Sequence, residues 1–130
     1  MSEFKVLLVD DETDFVETLV KRLRKRKLDV RAASSGQQAL DMLSESPSDV
    51  VVLDVKMPDM DGIETLRRIK KIAPGVEVVM LTGHANVEVA MQGMELGAFD
   101  YLMKPIDIDD LLYKLQDAFK KKSYVDINKQ

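Results

Sequence analysis

The sequence contains no cysteine and opens without a long apolar run. Without cysteine there can be no disulfide bridge and no cysteine-ligated zinc, and a reducing compartment is favoured. The first residues, MSEFKVLLVD, hold only the short apolar run VLLV, which is too short for a signal peptide or a membrane span. We therefore expect a cytoplasmic protein that does not associate with a membrane.

An excess of positive charge is also lacking, because 19 basic residues face 23 acidic ones and the net charge is −4. This balance argues against nucleic acid as a direct partner, since phosphate binding usually shows as a basic domain. The exception is the basic run Lys21–Lys27, which surrounds Leu23. Because cations are favourable at the carboxyl end of a helix, we interpret this run as a solvated helix end.

Composition and length predict one globular domain. Hydrophobic residues make up 45% of the chain and charged residues 32%, which fits neither a disordered nor a fibrous protein. A chain of 130 residues has the common size of a single domain. We predict a domain over residues 1–122, followed by a C-terminal tail over residues 123–130.

Five short apolar runs predict strands, and helical patterns separate them. Three runs, VLLV, VVVL and VVML, are apolar without alternation, which is typical of parallel strands covered on both faces. The predicted strands are Lys5–Val9, Val30–Ala33, Val50–Asp54, Val76–Leu81 and Asp100–Met103. Strict alternation of strand and helix predicts an α/β, doubly wound, five-stranded parallel sheet. We interpret five methionines in or beside the apolar patterns as core filler: Met57, Met80, Met91, Met94 and Met103.

Polar side chains stand at the ends of four predicted strands. They are Asp10, Asp11 and Glu12 after the first strand, Asp54 at the end of the third, Thr82 after the fourth and Lys104 after the fifth. Each has a structural alternative, such as capping of the next helix by an acid or solvation of a lone charge. However, parallel strands end at one edge of a sheet, where such folds bind ligands. We therefore expect these side chains to form one polar site.

The chemistry of this site predicts phosphoryl transfer with Mg²⁺. The carboxylates of Asp10, Asp11 and Asp54 would repel one another without a cation, and oxygen ligands without cysteine or a neighbouring histidine suit Mg²⁺. A cation of this kind neutralises phosphoryl oxygens, while Lys104 supplies a second positive charge and Thr82 a hydrogen bond. Asp54 is the predicted phosphoacceptor because it ends the central strand.

The motifs in four ordered segments resemble those of the receiver domain of bacterial two-component response regulators. They lie in VLLVDDE, DVVVLDVKMPDMDGIE, VVMLTGHA and GAFDYLMKP, and the resemblance covers residues 4–122. It implies a flavodoxin-like (βα)5 fold with strand order 2-1-3-4-5, and a phosphorylation-dependent switch rather than an enzyme with an external substrate. The last two motifs are similar to those of receivers attached to sigma-54-type activators and to some helix-turn-helix regulators.

The resemblance also implies a role for individual residues. Asp54 would take a phosphoryl group from a sensor histidine kinase or from a small donor such as acetyl phosphate. Asp11 would be a direct Mg²⁺ ligand, Asp10 would act mainly through water, and the backbone carbonyl of Lys56 would complete the ligands. Lys104 would contact the phosphoryl group, and its peptide bond to Pro105 would be cis.

Thr82 and Tyr101 resemble the switch pair of this family, in which the hydroxyl moves toward the phosphoryl group and the aromatic ring fills the vacated space. The resemblance places the responding surface on helix four, strand five and helix five, where an output domain, a downstream protein or a second copy would bind. We expect this surface to include Val89, Tyr101, Asp109, Asp110 and Tyr113. The family also commonly docks its kinase on helix one, which here carries the basic run. Asp59, Asp61 and Gly62 resemble a structural turn that opens helix three.

Several alternatives remain at this stage. Lys56 and His84, each two residues beyond a site residue, are either loop residues or flank the acyl phosphate and tune its hydrolysis. A haloacid-dehalogenase-like phosphatase would need an acid at Lys56, and a flavin phosphate would be repelled by the acidic residues after strand one. A pseudo-receiver that acts only as a protein-binding scaffold is the remaining alternative.

Overall fold

The computed structural model describes residues 4–55, 61–83 and 87–128. Five strands form one parallel sheet in the order β2-β1-β3-β4-β5. The strands are β1 (Lys5–Val9), β2 (Asp29–Ala33), β3 (Val50–Asp54), β4 (Glu77–Thr82) and β5 (Asp100–Met103). The predicted fold class and strand order are confirmed; β2 begins one residue earlier than predicted, and β4 is shifted by one residue toward the C-terminus.

Helices cover both faces of the sheet. They are α1 (Thr13–Lys25), α2 (Gly36–Glu45), α3 (Gly62–Ile72), α4 (Val87–Glu95) and α5 (Ile108–Asn128). Leu7 and Val9 of β1 point into an apolar cluster with α2 and α3, whereas Val6 and Leu8 point into a second cluster with α1 and α5. Burial on both faces explains the continuous apolar runs, since each buried Leu or Val contributes about 1.5–3 kcal/mol relative to an exposed one.

The connection from β3 to α3 is held close to the sheet. The Asp61 carboxylate accepts a hydrogen bond of 2.8 Å from the backbone N–H of Glu64 and caps α3. The Gly62 N–H donates to the carbonyl of Val55 at 3.2 Å. A side chain at Gly62 would overlap the backbone of Val55 and approach the Asp54 carbonyl to 2.8 Å. The predicted structural role of Asp61 and Gly62 is confirmed, whereas Asp59 lies outside the described residues.

Helix α4 presents small residues to the sheet. Ala90 is buried, and a Cβ on Gly93 would overlap the side chain of Met80, which is fully buried beneath the helix. Because this close approach occupies the inner face, Met91 and Met94 point outward and are 58% and 42% exposed. The interpretation of these two methionines and of Met103 on β5, which is also largely exposed, as core filler is therefore wrong. For Met80 it is confirmed, and Met57 lies outside the described residues.

Helix α5 runs past residue 122, the predicted end of the domain. It continues through Asn128, so residues 123–128 of the segment predicted to be a tail extend the helix. Two lysines near the helix end pair with acids at strand starts: Lys121 with Glu77 at 3.6 Å and Lys122 with Asp49 at 3.4 Å. Among the described residues, no helix is both long and apolar enough to cross a membrane.

Candidate functional site

The polar residues at the carboxyl edge of the sheet are mostly buried. Asp10 follows β1, Asp54 ends β3 and Thr82 ends β4, and all three are at most 4% exposed. The Asp10 N–H continues the β1–β2 pairing by donating to Ala33 O at 3.1 Å, and its carboxylate accepts a hydrogen bond of 2.9 Å from the Glu12 N–H. The sheet therefore brings these predicted residues to one edge.

Lys104 extends from the end of β5 into the middle of this group. Its ammonium donates hydrogen bonds to Asp10 Oδ2 at 2.9 Å and to Glu12 Oε1 at 2.8 Å, and it lies 3.9 Å from Asp54 Oδ2. It also lies 4.5 Å from the centroid of the Phe15 ring, a favourable cation–π distance. Lys104 is therefore held by the acids that follow β1, close to the predicted acceptor.

The electrostatics of Lys104 favour its charged form. Burial by itself lowers the pKa of the ammonium, but the hydrogen bonds to Glu12 and Asp10 and the nearby charge of Asp54 outweigh this effect. The net pKa is raised above the ordinary value of a lysine. The charged form of Lys104 is thus favoured beside Asp54, which suits the binding of an anionic group.

Three carboxylates form the potential cation-binding group of the site. Oxygens of Asp10, Glu12 and Asp54 all lie within 4.8 Å of one another. Their all-oxygen chemistry fits a hard divalent ion such as Mg²⁺. The predicted ligand Asp11 is exposed and is not part of this group, and Lys56 lies outside the described residues, as does His84. The roles assigned to Asp11 and Lys56 stay predictions.

The predicted switch residues stand on neighbouring strands. Thr82 is opposite Met103 in the register of β4 and β5, and its carbonyl accepts a hydrogen bond of 2.8 Å from the Lys104 N–H. Tyr101, near the start of β5, is 41% exposed. The buried Thr82 and the partly exposed Tyr101 thus lie on β4 and β5, the pair of strands that also positions Lys104. The peptide bond between Lys104 and Pro105 is cis, as predicted.

Sequence reasoning missed the position of Glu12. It was noted among the strand-end acids, yet no function was assigned to it. Its side chain lies next to both Lys104 and the carboxylate group. The three successive acids after β1 indicated that an acid could lie near Lys104. The linear sequence does not show which of the three contacts it.

The structure also describes the two surfaces predicted from the sequence, the basic run on α1 and the surface of α4, β5 and α5. In the basic run of α1, the charged residues are exposed around the buried Leu23, in agreement with a solvated helix end. On the surface of α4, β5 and α5, Tyr113 is 72% exposed and Val89 is half-buried. Asp109 and Asp110 are exposed at the start of α5. Met91 and Met94 of α4 are exposed as well.

Comparisons with known proteins agree with this geometry. The model of the response regulator receiver domain family matches residues 6–116. The chain is 39% identical over 121 residues to the transcriptional regulatory protein ZraR of Escherichia coli (strain K12), covering 93% of this chain and 27% of ZraR. It is 36% identical to sporulation initiation phosphotransferase F of Bacillus subtilis (strain 168), covering 93% of this chain and 94% of that protein.

Solved structures show the same relationship. A response regulator receiver domain protein from Clostridium thermocellum matches with a TM-score of 0.89 and 36% identity, covering 94% of this chain and 98% of that one. The chain therefore spans only about a quarter of the length of ZraR. The predicted similarity to receivers of transcriptional regulators is confirmed.

Proposed function

The chain belongs to the response regulator receiver domain family of two-component signalling, and we propose that it is a switch that accepts a phosphoryl group on Asp54. The main support is the position of the Lys104 ammonium, which lies 3.9 Å from Asp54 Oδ2 and is hydrogen-bonded to the acids after β1. A buried acceptor carboxylate beside a fixed cation is the arrangement that phosphoryl transfer needs.

The proposed reaction is a displacement at phosphorus. A carboxylate oxygen of Asp54 attacks the phosphorus of a kinase phosphohistidine or of acetyl phosphate, and a P–O bond to Asp54 forms. The P–N bond of phosphohistidine, or the P–O bond of acetyl phosphate, breaks at the same time. With phosphohistidine, the electron pair of the broken P–N bond leaves with the imidazole, which takes up a proton. With acetyl phosphate, the electron pair of the broken P–O bond leaves with acetate. Water later attacks the phosphorus, which releases inorganic phosphate and restores the carboxylate, so the domain acts on itself.

We propose Mg²⁺ as the cation of the site, held by Asp11, Asp54 and the backbone carbonyl of Lys56, with Asp10 acting mainly through water. When bound, it would neutralise the charge on the phosphoryl oxygens. The protein residues contribute position: Lys104 supplies a second positive charge, and the Thr82 hydroxyl, buried at the end of β4, is the proposed hydrogen-bond donor to the phosphoryl group. The all-oxygen carboxylate group supports this choice of ion.

The proposed consequence is a shift between two arrangements of Thr82 and Tyr101. Movement of the hydroxyl toward the phosphoryl group would leave space that the Tyr101 ring can fill, changing the surface of α4, β5 and α5. An output domain, a downstream protein or a second copy would read that surface. A sensor histidine kinase is the proposed donor, with the exposed basic end of α1 as a candidate docking surface. The proposed location of the domain is the cytoplasm.

The experiment that tests this function is intact-mass spectrometry after incubation with acetyl phosphate and Mg²⁺. We expect one hydroxylamine-labile phosphoryl group on the wild type, and none on Asp54→Asn or in the presence of EDTA. A matched control is Asp49→Asn, which changes an acid at the opposite edge of the sheet and should still be labelled. A folded wild type that binds neither a phosphoryl group nor beryllofluoride would favour the pseudo-receiver alternative.

A further inference from the structure

We infer that Glu12 is a positioning residue that holds Lys104 away from Asp54 in the unmodified protein and thereby limits phosphorylation. This inference rests on the proposed function of Asp54. The Lys104 ammonium lies 2.8 Å from Glu12 Oε1 and 2.9 Å from Asp10 Oδ2, but 3.9 Å from Asp54 Oδ2. The lysine that should neutralise an incoming phosphoryl group is therefore bonded elsewhere before the group arrives.

The Glu12 side chain contacts Lys104 rather than the first turn of its own helix. Glu12 occupies the N-cap position of α1, where a side chain usually accepts a hydrogen bond from the first turn. Within the described helix the Glu12 carboxylate makes no such capping bond and instead accepts from Lys104, which is 92 positions away in the sequence. The first turn of α1 therefore has no side-chain cap from Glu12, whose carboxylate binds the lysine that follows β5.

The backbone of Glu12 has a separate task that a side-chain substitution leaves intact. Its N–H donates to Asp10 Oδ1 at 2.9 Å and helps to orient that buried carboxylate. A change of Glu12 to glutamine keeps this bond and the length of the side chain, and removes only the negative charge. The effect of the carboxylate on Lys104 can therefore be separated from the folding of the β1–α1 turn.

Glu12 should make the Lys104 ammonium less available to a phosphoryl group and should strengthen the binding of Mg²⁺. Its carboxylate competes with phosphoryl oxygens for Lys104, so it slows phosphorylation. It also lies within 4.8 Å of Asp10 and Asp54 oxygens, so its charge attracts a divalent ion. The Glu12 side chain is 63% exposed, which screens both effects and limits each to about two- to five-fold, the range expected for an exposed ion pair.

The test compares Glu12→Gln with Glu17→Gln, which makes the same charge change at an exposed position on α1. For Glu12→Gln we expect the rate of phosphorylation by acetyl phosphate at saturating Mg²⁺ to rise about two- to five-fold. The Mg²⁺ dissociation constant, measured by calorimetry, should rise by a similar factor. A merely structural role would not produce a faster reaction together with weaker Mg²⁺ binding.

A phosphorylation rate that falls in Glu12→Gln would overturn the inference, as would rates and Mg²⁺ affinities equal to those of Glu17→Gln. If the wild type itself accepts no phosphoryl group, the proposed function fails. The inference about Glu12 is then decided by the Mg²⁺ dissociation constants and by crystal structures. An Nζ–Oδ2 distance between Lys104 and Asp54 that does not shorten in Glu12→Gln would reject it.

Discussion

The Lys121 ammonium lies 3.6 Å from Oε1 of Glu77, a buried carboxylate at the start of β4. This oxygen has no hydrogen-bond partner among the described residues, so the charge of Lys121 is its principal compensation on the α5 side. Burial lowers the pKa of Lys70 on α3, and the negative charge of Glu77 partly offsets this effect. Glu77 thus links helices from both faces of the sheet.

Removal of Lys121 should destabilise the domain. Lys121→Ala leaves a buried acceptor with less compensation, and because the lysine is 52% exposed we expect a loss of only about 1 kcal/mol in the free energy of unfolding. Urea denaturation monitored by circular dichroism measures it. Lys120→Ala, an exposed position on the same helix, is the control, and an equal effect of both substitutions would contradict the role of the Glu77 contact.

Lys27→Gly should stabilise the protein. Lys27 has φ 66°, and it ends α1 in a Schellman motif: its N–H donates to Arg24 O at 2.9 Å and the Leu28 N–H to Leu23 O at 3.3 Å. Glycine adopts this conformation without the strain of a Cβ, so we expect a gain of about 0.5–1 kcal/mol. Thermal unfolding should show a higher Tm. Lys25→Gly, inside the helix, should have the opposite sign.

Gly62→Ala should disturb both the fold and the site. The new Cβ would overlap the backbone of Val55 and press on the Asp54 carbonyl, so the β3–α3 connection must shift. We expect a loss of about 2–3 kcal/mol in stability and slower phosphorylation of Asp54. Gly75→Ala places its Cβ in open space and should change neither quantity. Wild-type stability in Gly62→Ala would show that the connection relaxes freely.

Glu64 should titrate at a lower pH than an unpaired glutamate. A hydrogen bond from Arg68, supported by Arg67, lowers the pKa of Glu64 below its ordinary value of 4.5. Because the folded-state pKa is depressed, the contribution to stability is present above pH 4.5 and is lost as the pH falls through the lowered pKa. Carbon NMR of the Glu64 carboxyl carbon measures the titration. Arg68→Ala should move the midpoint upward, and an unmoved midpoint would exclude the ion pair as its cause.

The sequence predicted the sheet well because its signals are local. Burial on both faces demands runs without polar interruption, and VVVL in β3 shows such a run directly. Asp61 and Gly62 were also recognisable, since capping and close backbone approach each require a particular residue type. The exposed outer face of α4 was not predicted: Met91 and Met94 fit an apolar stripe, and only the approach of Gly93 to Met80 turns them outward.

For the site, too, the sequence predicted one part and the tertiary structure decided another. The sequence by itself determined which groups would meet, because parallel strands must end at one edge and the strand-end residues Asp10, Asp54, Thr82 and Lys104 go with them. Tertiary structure decided which contacts they make: the capture of Lys104 by Glu12 joins residues 92 positions apart. A side chain selects among such partners by distance and angle, and these exist only once the chain is folded.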